Sequence, residues 1–301
     1  MSKMKMNPTM PVFSIIGAGR SGAGLARYFV EQGFEITALV EKNSERFRYL
    51  SGRFNWRFLT RQLTSNKLAA AHIVLLTVQD DLIAETAEQT ARLLPAWINK
   101  VVAHTSGTLP CEVLKPFRRK GAAVASVHPV YAFALNPEDN RQIENVWFDL
   151  EGDSPAVTVF EQIFRSTGNP AFRIGPEQKE AVHLASVFSA NFLVALAEMS
   201  RDLLGNILPE NQEKQLLHPL LTAAIEQISL HGAADGLTGP IQRGDAKTVQ
   251  AHLKFLKNYH PEMLDIYIEL SEKLLSLSGV SSKSRSALQQ IFKQFSNRSP
   301  E

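Results

Sequence analysis

The sequence has little of what stabilises a small secreted scaffold or carries a chain through a membrane. Its 301 residues include a single cysteine, Cys111, which excludes an intramolecular disulfide, and no Cys/His pattern has zinc-binding spacing. Its apolar runs stop well short of the roughly 20 residues that a membrane-spanning helix needs. We therefore expect a cytoplasmic chain with no metal site and no membrane span.

Neither sign of charge dominates. The 32 lysine and arginine side chains nearly balance 30 aspartate and glutamate side chains, which leaves a formal net charge of +2 at pH 7. Surfaces that bind nucleic acid usually carry a strong positive field, so nucleic acid is not expected as the main partner. Hydrophobic residues make up 44% of the chain, and the length fits two domains of ordinary size.

The chain divides into a part that alternates strands with helices and a part with helical periodicity. Short apolar runs alternate with amphipathic stretches, as in a parallel sheet with crossover helices. The predicted strands are residues 12–16, 35–40, 72–78, 100–104, 122–127, 146–150 and 171–174. We predict a loose tail at 1–11, an α/β Rossmann domain with a doubly wound parallel sheet at 12–175, and an all-α domain at 176–301.

A glycine-rich turn stands between the first predicted strand and the first predicted helix. It consists of Gly17, Ala18, Gly19, Arg20, Ser21 and Gly22. A GxGxxG pattern alone is a weak signal, but the order strand, turn, helix is what dinucleotide binding requires. Gly17 permits the tight turn, Gly19 lets backbone amides approach a pyrophosphate, and Gly22 allows close packing of helix and strand. We predict that all six residues form the cofactor-binding turn.

The residues after the second predicted strand bear on the choice of nicotinamide cofactor. Glu41 follows Gly22 by 19 positions, where an acidic side chain binds the ribose hydroxyls of NAD. Arg20, Lys42 and Arg46 offer cations to a 2′-phosphate instead, although the last two could simply be the solvated start of a helix. NAD(H) and NADP(H) both stay open, with NADP(H) slightly favoured.

The first helix of the predicted second domain carries polar groups on one side. At about 100° per residue, Lys179, His183, Ser186 and Asn191 fall within an arc of roughly 140° on a mostly apolar helix. A single polar group of this kind is more often satisfied within a core. Several on one face favour a cleft in which a ligand supplies their partners.

A glycine-punctuated loop, GLTGPIQRGD, occupies residues 236–245. Asp245 is placed to cap the helix predicted at 246–256. Arg243 could offer its planar guanidinium to a substrate carboxylate or to the cofactor, and the alternative is an exposed ion pair. Thr238 and Arg243 are the substrate-binding candidates of this loop.

The order of these features resembles a Rossmann-like domain followed by the helical domain of unknown function 2520, within the 6-phosphogluconate dehydrogenase-like superfamily. The likeness covers nearly the whole chain. It is carried by GAGRSG at 17–22, VQDD at 78–81, HTSG at 104–107, VHP at 127–129, the helix at 183–191 and LTGPIQRGD at 237–245. The last of these motifs is the most specific.

The resemblance implies a reductase. Relatives in the superfamily include pyrroline-5-carboxylate reductases and ketopantoate reductases, and some proteins of this architecture are reported as an alternative form of ketopantoate reductase. Ketopantoate reductases carry a catalytic lysine and asparagines on an interdomain helix. This sequence departs from that pattern with His183 and Val187, although Lys179 and Asn191 keep part of the chemistry. Such a helical domain often completes a homodimer.

The leading hypothesis is therefore hydride transfer from NADPH to a small 2-oxo acid, ketopantoate first, in an interdomain cleft. His183 or Lys179 would protonate the developing alkoxide, and Asn191 would orient the substrate. The other predicted site residues are Glu41, Val78, Gln79 and Asp80 for the dinucleotide and Ser106, His128, Thr238 and Arg243 for the substrate. Two alternatives stay open: reduction of a cyclic imine such as pyrroline-5-carboxylate, and a non-catalytic dinucleotide-binding sensor.

Overall fold

Eight strands form one continuous sheet in the first part of the chain. The computed structural model describes residues 10–141, 143–209 and 212–296. The strands are β1 Phe13–Ile16, β2 Ile36–Val40, β3 Leu59–Thr60, β4 Ile73–Leu76, β5 Val101–His104, β6 Ala123–Pro129, β7 Phe148–Gly152 and β8 Ala171–Arg173. Their spatial order is β3-β2-β1-β4-β5-β6-β7-β8. The order reverses between β1 and β4, the kind of switch point at which doubly wound sheets bind ligands.

Apolar side chains bury the sheet on both faces, as the nearly continuous hydrophobic strands predict. Along β4, Ile73 and Leu75 belong to one core cluster, whereas Val74 and Leu76 belong to a second. This division follows from the alternation of side chains in a strand. The predicted α/β fold class is therefore confirmed.

Six helices connect the strands. They are α1 Arg20–Glu31, α2 Ser44–Arg53, α3 Ser65–Ala70, α4 Asp80–Ala91, α5 Lys115–Arg118 and α6 Ser154–Thr167. Local sequence explains their ends. The Asn43 side chain accepts hydrogen bonds from the amides of Glu45 and Arg46 at the start of α2. Gly168 ends α6 in the left-handed region, with φ of 82°.

The sheet departs from the predicted parallel series at two places. Strand β3 is only two residues long and was not predicted, because so short a segment has no periodicity to detect. Strand β7 pairs with β6 antiparallel, whereas all other neighbours are parallel. The chain between β6 and β7 contains only two short 3₁₀ turns among its described residues, and no crossover helix of the kind that parallel strands need.

After β8 the described residues contain helices and loops and no further strand. The helices are α7 Lys179–Ser186, α8 Phe192–Leu204, α9 Glu213–Asp235, α10 Pro240–Arg243, α11 Ala246–Tyr259, α12 Leu264–Leu277 and α13 Ser282–Phe295. Asp245 caps α11 by accepting from the Thr248 amide at 3.1 Å, as predicted. The strands thus end near the predicted boundary at 175, whereas the compact units divide between Ala190 and Asn191.

A π-helical segment, Val187–Asn191, joins α7 to α8. Its wider turn changes the angle between successive side chains, so the value of 100° per residue on which the predicted arc rests does not apply between Val187 and Asn191. Asn191 is also the first residue of the second compact unit. Segments of this type are frequent at functional sites.

The second unit has its own hydrophobic core, which includes Val249, Leu253, Leu264, Leu288 and Phe292. This core is built from α10 to α13 and the segments between them. Helices α8 and α9 contain no residue classed as buried. Large apolar side chains on them are exposed: Val194 at 70%, Leu220 at 64% and Leu230 at 73%.

One helical run among the described residues, Pro176–Leu204, is long and apolar enough to cross a membrane by length and composition, with a mean hydropathy of 1.5. The sequence-based expectation of no membrane span did not anticipate this result. Charged groups flank the apolar stretch: Lys179 is fully buried near its start, and Glu198 pairs with Arg201 near its end.

Candidate functional site

The glycine turn between β1 and α1 is packed tightly on one side and open on the other. A Cβ on Gly17, which has φ of +106°, would lie 2.9 Å from the Thr77 backbone, and one on Gly22 would overlap the Gly17 carbonyl oxygen. A Cβ on Gly19 would meet nothing within 4 Å. Gly17 and Gly22 are therefore needed for packing, whereas Gly19 borders open space into which a pyrophosphate fits.

A cavity of about 610 Å³ lies over this turn, at the carboxyl ends of β1, β2 and β4. Five residues of the predicted cofactor site line it: Gly17, Gly19, Glu41, Val78 and Gln79. The other predicted members do not line it. Ala18 and Gly22 are buried in the packing of the turn, and Arg20 is exposed at the start of α1.

Two polar side chains hold the rim of this cavity. Arg46 donates from Nε to the Ala18 carbonyl at 3.1 Å, and from Nη2 to the Leu135 carbonyl at the same distance. The Glu41 carboxylate accepts a hydrogen bond from the Asn43 amide at 2.8 Å. Arg46 thus supports the glycine turn by hydrogen bonding and is not simply a solvated residue at the start of a helix.

The loop that follows β5 is organised by Ser106. Its hydroxyl donates to Asp80 Oδ2 at 2.7 Å and accepts from the amides of Thr108 and Leu109. The predictions had Ser106 near the reacting centre and Asp80 at the dinucleotide. In the structure the Ser106 hydroxyl and the Asp80 carboxylate bind each other, and this hydrogen bond stabilises the loop after β5.

His104, the last residue of β5, supports this loop from below. Its Nδ1 accepts from the Ser106 amide at 3.2 Å, and its Nε2 lies 3.2 Å from the Pro110 carbonyl. This pair of bonds suits the neutral imidazole, with Nε2 protonated. Burial lowers the pKa of His104 to about 4.

Two imidazoles converge above Gly107 in the same loop. A Cβ on Gly107 would lie 2.6 Å from His183 Nδ1 and 2.9 Å from His128 Nε2. The two ring centroids are 5.9 Å apart. His183 Nδ1 is buried and has no hydrogen-bond partner among the described residues. The two ring nitrogens therefore come together because Gly107 has no side chain, and the unpartnered His183 Nδ1 needs a partner from a ligand or a water.

Asp149 holds His128 from the other side of the ring. His128 lies opposite Asp149 in the antiparallel β6–β7 register, and its Nδ1 is 2.7 Å from Asp149 Oδ2. Directly opposed residues share one face of a sheet, which explains the contact. An Nδ1–H that donates to Asp149 leaves Nε2 as the proton-exchanging atom above Gly107.

Lys179 completes this network from α7. Its ammonium donates to Ser126 Oγ at 2.7 Å and lies 3.4 Å from Asp149 Oδ1, and both Lys179 and Asp149 are fully buried. The predicted role of Lys179 as proton donor to a substrate is thereby corrected. The ammonium is enclosed by protein groups and neutralises the carboxylate that orients His128.

Contacts within the first unit do not place the remaining predicted site residues beside His128 and His183. Ser186 Oγ donates to the Val182 carbonyl of its own helix. Thr238 and Arg243 are exposed in the second unit, and Arg243 forms no ion pair with a described residue. Their role in substrate binding, like that of Asn191, stays a prediction.

Sequence reasoning missed Ser126 and Asp149, the two buried polar partners of Lys179. Each lies within a predicted strand that is otherwise apolar, VAS at 124–126 and FDL at 148–150. A charged residue inside a buried strand is rarely left without a partner. The pattern therefore marks Asp149 as unusual, but it does not predict which residues pair with its carboxylate.

Cys111 is an unsuitable nucleophile. Its thiol is buried and donates to Glu151 Oε1 at 3.1 Å. Burial, followed by the neighbouring Glu151, raises the pKa of the thiol to about 12. Among the residues that the structure describes, no three His, Cys, Asp or Glu side chains cluster as metal ligands.

Two domain families match the chain. The family described as Rossmann-like domain matches residues 2–129, and the domain of unknown function DUF2520 matches residues 146–274. These two matches are the ones that the motifs predicted. Comparison with curated proteins gives no significant match.

Solved structures share the fold across most of the chain. A protein from Bacteroides fragilis described as an NADP oxidoreductase superposes with a TM-score of 0.71 at 20% identity, covering 88% of this chain and 98% of its own. A Thermotoga maritima protein has a TM-score of 0.65 at 26% identity, with the same coverage. Plasmodium falciparum pyrroline carboxylate reductase, with NADP bound, has a TM-score of 0.57 at 15% identity and covers 89% of this chain and 98% of its own.

Proposed function

We propose that this chain, in which a Rossmann-like domain precedes DUF2520, is an NADP(H)-dependent reductase of a small carbonyl or imine compound. One observation carries the proposal: His128 Nε2 and His183 Nδ1 converge on Gly107, just after the carboxyl end of β5. That end belongs to the sheet edge at which the 610 Å³ cavity opens over the glycine turn. A nucleotide cavity and proton-exchanging groups at one edge are the components of a reductase.

The bound cofactor would supply the hydride, and the chain supplies the proton and its placement. His128 is the better oriented donor, because Asp149 fixes its Nδ1 and directs Nε2 above Gly107. His183 lies beside it, and its buried Nδ1 has no hydrogen-bond partner among the described residues. Asp149 accepts from His128 Nδ1 and so fixes the tautomer and the orientation of the imidazole.

A 2-oxo acid, ketopantoate first, is the preferred substrate class. Reduction of a ketone creates an alkoxide that needs a proton donor, and the two imidazoles meet this requirement. Arg243, which has no ion-pair partner among the described residues, stays the predicted partner of a substrate carboxylate. We retain the cyclic imine as the second candidate, since a pyrroline carboxylate reductase is among the structural neighbours.

Purified protein tested with NADPH and a panel of 2-oxo acids and cyclic imines separates these substrates. We expect turnover of at least one 2-oxo acid, and a loss of about 100-fold or more in kcat for His183→Ala with unchanged NADPH affinity. Preferential turnover of the imines would favour the second candidate. NADPH binding without turnover of any compound would contradict a reductase and favour a dinucleotide sensor.

We further propose a homodimer that covers α8 and α9. Twenty-three residues form α9 without a single buried side chain, although Leu220, Ile228 and Leu230 are apolar. An apolar surface of this extent on a chain marks an interaction site. A second copy supplies a matching apolar face by symmetry.

A further inference from the structure

The short strand β3 brings Arg61 beside the end of β2. Strand β3 pairs parallel with β2, with Val40 opposite Thr60, so the carboxyl ends of both strands lie together. The Glu41 amide donates to the Thr60 carbonyl at 2.9 Å. The Arg61 guanidinium donates from Nη2 to the Lys42 carbonyl at 3.1 Å. The chain after β3 is therefore fastened to the chain after β2, where a dinucleotide's adenosine ribose lies in this fold.

Open space connects these two segments with the main cavity. A cavity of about 460 Å³ is lined by Lys42, Thr60, Arg61 and Gln62. An adjoining cavity of about 310 Å³ is also lined by Lys42 and Arg61. Lys42 lines the 610 Å³ cavity as well. A group attached to the adenosine ribose in the large cavity thus has room next to both cations.

Lys42 and Arg61 offer charge that no described carboxylate neutralises. Neither forms an ion pair within the residues that the structure describes, whereas Arg53 and Arg173, elsewhere on this unit, each pair with a glutamate. Thr60 and Gln62 add polar side chains to the same wall. An arginine fork together with a lysine point charge is suited to a phosphate monoester.

Glu41 acts against this preference. Its carboxylate lines the large cavity, where an acidic group favours a free ribose hydroxyl and repels a phosphate. One of its oxygens accepts from the Asn43 amide, which occupies part of its hydrogen-bonding capacity. Two cations against one carboxylate leave a positive balance beside the ribose.

We propose that Lys42 and Arg61 form the 2′-phosphate subsite that selects NADP(H) over NAD(H), with Arg61, on the segment after β3, as the main determinant. This inference rests on the proposed function. It assigns the selectivity to a segment outside the glycine turn, and it assigns Glu41 the opposing role. Arg46 is not part of this subsite, because its guanidinium is already bound to the carbonyls of Ala18 and Leu135.

Binding measurements test the subsite without turnover. Isothermal titration of the full chain with NADPH, NADH and 2′,5′-ADP should show that Arg61→Gln weakens NADPH and 2′,5′-ADP by about 10- to 100-fold. NADH affinity should change less than about twofold, because NADH has no 2′-phosphate to lose a contact. Arg119→Gln is the matched control, since Arg119 is exposed beyond α5 and lines none of these cavities.

Glu41→Gln gives the opposite expectation: tighter NADPH binding and weaker NADH binding. The inference is overturned if Arg61→Gln weakens NADPH and NADH equally, or if the unaltered chain binds NADH at least as tightly as NADPH. Both of those outcomes leave a dinucleotide-dependent reductase in place. If the unaltered chain binds neither dinucleotide, the proposed function fails, and the subsite fails with it.

Discussion

Asp149 lies directly opposite His128 across the antiparallel pair β6–β7, and its Oδ2 is 2.7 Å from His128 Nδ1. The same carboxylate faces the ammonium of the fully buried Lys179. His128 is thereby held between a buried charge pair and Gly107, with its Nε2 on the Gly107 side. This arrangement links the packing of the sheet to the chemistry proposed for its edge.

Replacing His128 tests its role as proton donor. We expect His128→Asn to lower kcat by about 10²- to 10⁴-fold, the range that general acid catalysis contributes, and to leave the Kd for NADPH unchanged. His72→Asn is the control, since His72 is an exposed histidine that precedes β4 at the opposite end of the sheet. Steady-state kinetics and dinucleotide titration provide both quantities. Full activity in His128→Asn would rule out the assignment.

Replacing Lys179 tests the buried charge pair. Lys179→Met leaves the Asp149 carboxylate buried without its cation, which should lower the free energy of unfolding by about 3–5 kcal/mol. Urea denaturation measures this loss. Adding Asp149→Asn to the same chain should recover part of it, because the buried charge is then gone. If the two substitutions act additively, the ion pair does not stabilise the fold.

Gly19 and Gly22 of the turn make a matched pair with different expected effects of substitution. Gly19→Ala places a methyl group in open space at an ordinary backbone angle, φ of −63°, so the melting temperature should stay near that of the unaltered chain. NADPH affinity should fall about 10-fold or more, because that space receives the pyrophosphate. Gly22→Ala should destabilise the chain itself. Unchanged NADPH affinity in Gly19→Ala would contradict pyrophosphate binding beside Gly19.

Low pH should destabilise the fold through His104, the histidine that supports the loop after β5. The pKa of His104 falls from 6.5 to about 4 on folding, first because of burial. Below pH 6.5 His104 is protonated in the unfolded chain, whereas in the folded chain it stays neutral until about pH 4. The free energy of unfolding therefore decreases as the pH falls from 6.5 to 4. The total loss is roughly 3 kcal/mol at 1.36 kcal/mol per pKa unit. Urea denaturation of His104→Gln should show a flatter pH dependence; an equal slope in both chains would contradict this.

Light scattering tests the homodimer. The chain of 33.4 kDa should have twice this mass in solution. Leu220→Lys places a charge on the exposed face of α9. This variant should be monomeric, because burying an unpaired charge at the interface opposes association. Tyr259→Lys on α11 serves as the control, since Tyr259 is equally exposed at 69% but lies outside α8 and α9. A monomeric unaltered chain would refute the proposal.

Much of the site could be read from sequence because its determinants are local. The glycine turn is recognisable from a strand, three glycines and a helix within 20 residues, and five of the predicted cofactor residues do line the cavity. His128 and His183 were also singled out, one from the end of a strand and one from a helix face. The periodicity argument assumed a regular α-helix, whereas a π turn precedes and includes Asn191.

The sequence by itself determined the α/β fold, the dinucleotide turn and the helical second part, because each depends on neighbouring residues and a short period. Only the tertiary structure decided what Lys179 does. Its partners Ser126 and Asp149 come from two strands whose antiparallel pairing no local pattern encodes. It likewise placed Arg61 beside Lys42 through a two-residue strand. Such contacts arise from packing between distant segments, which sequence periodicity cannot specify.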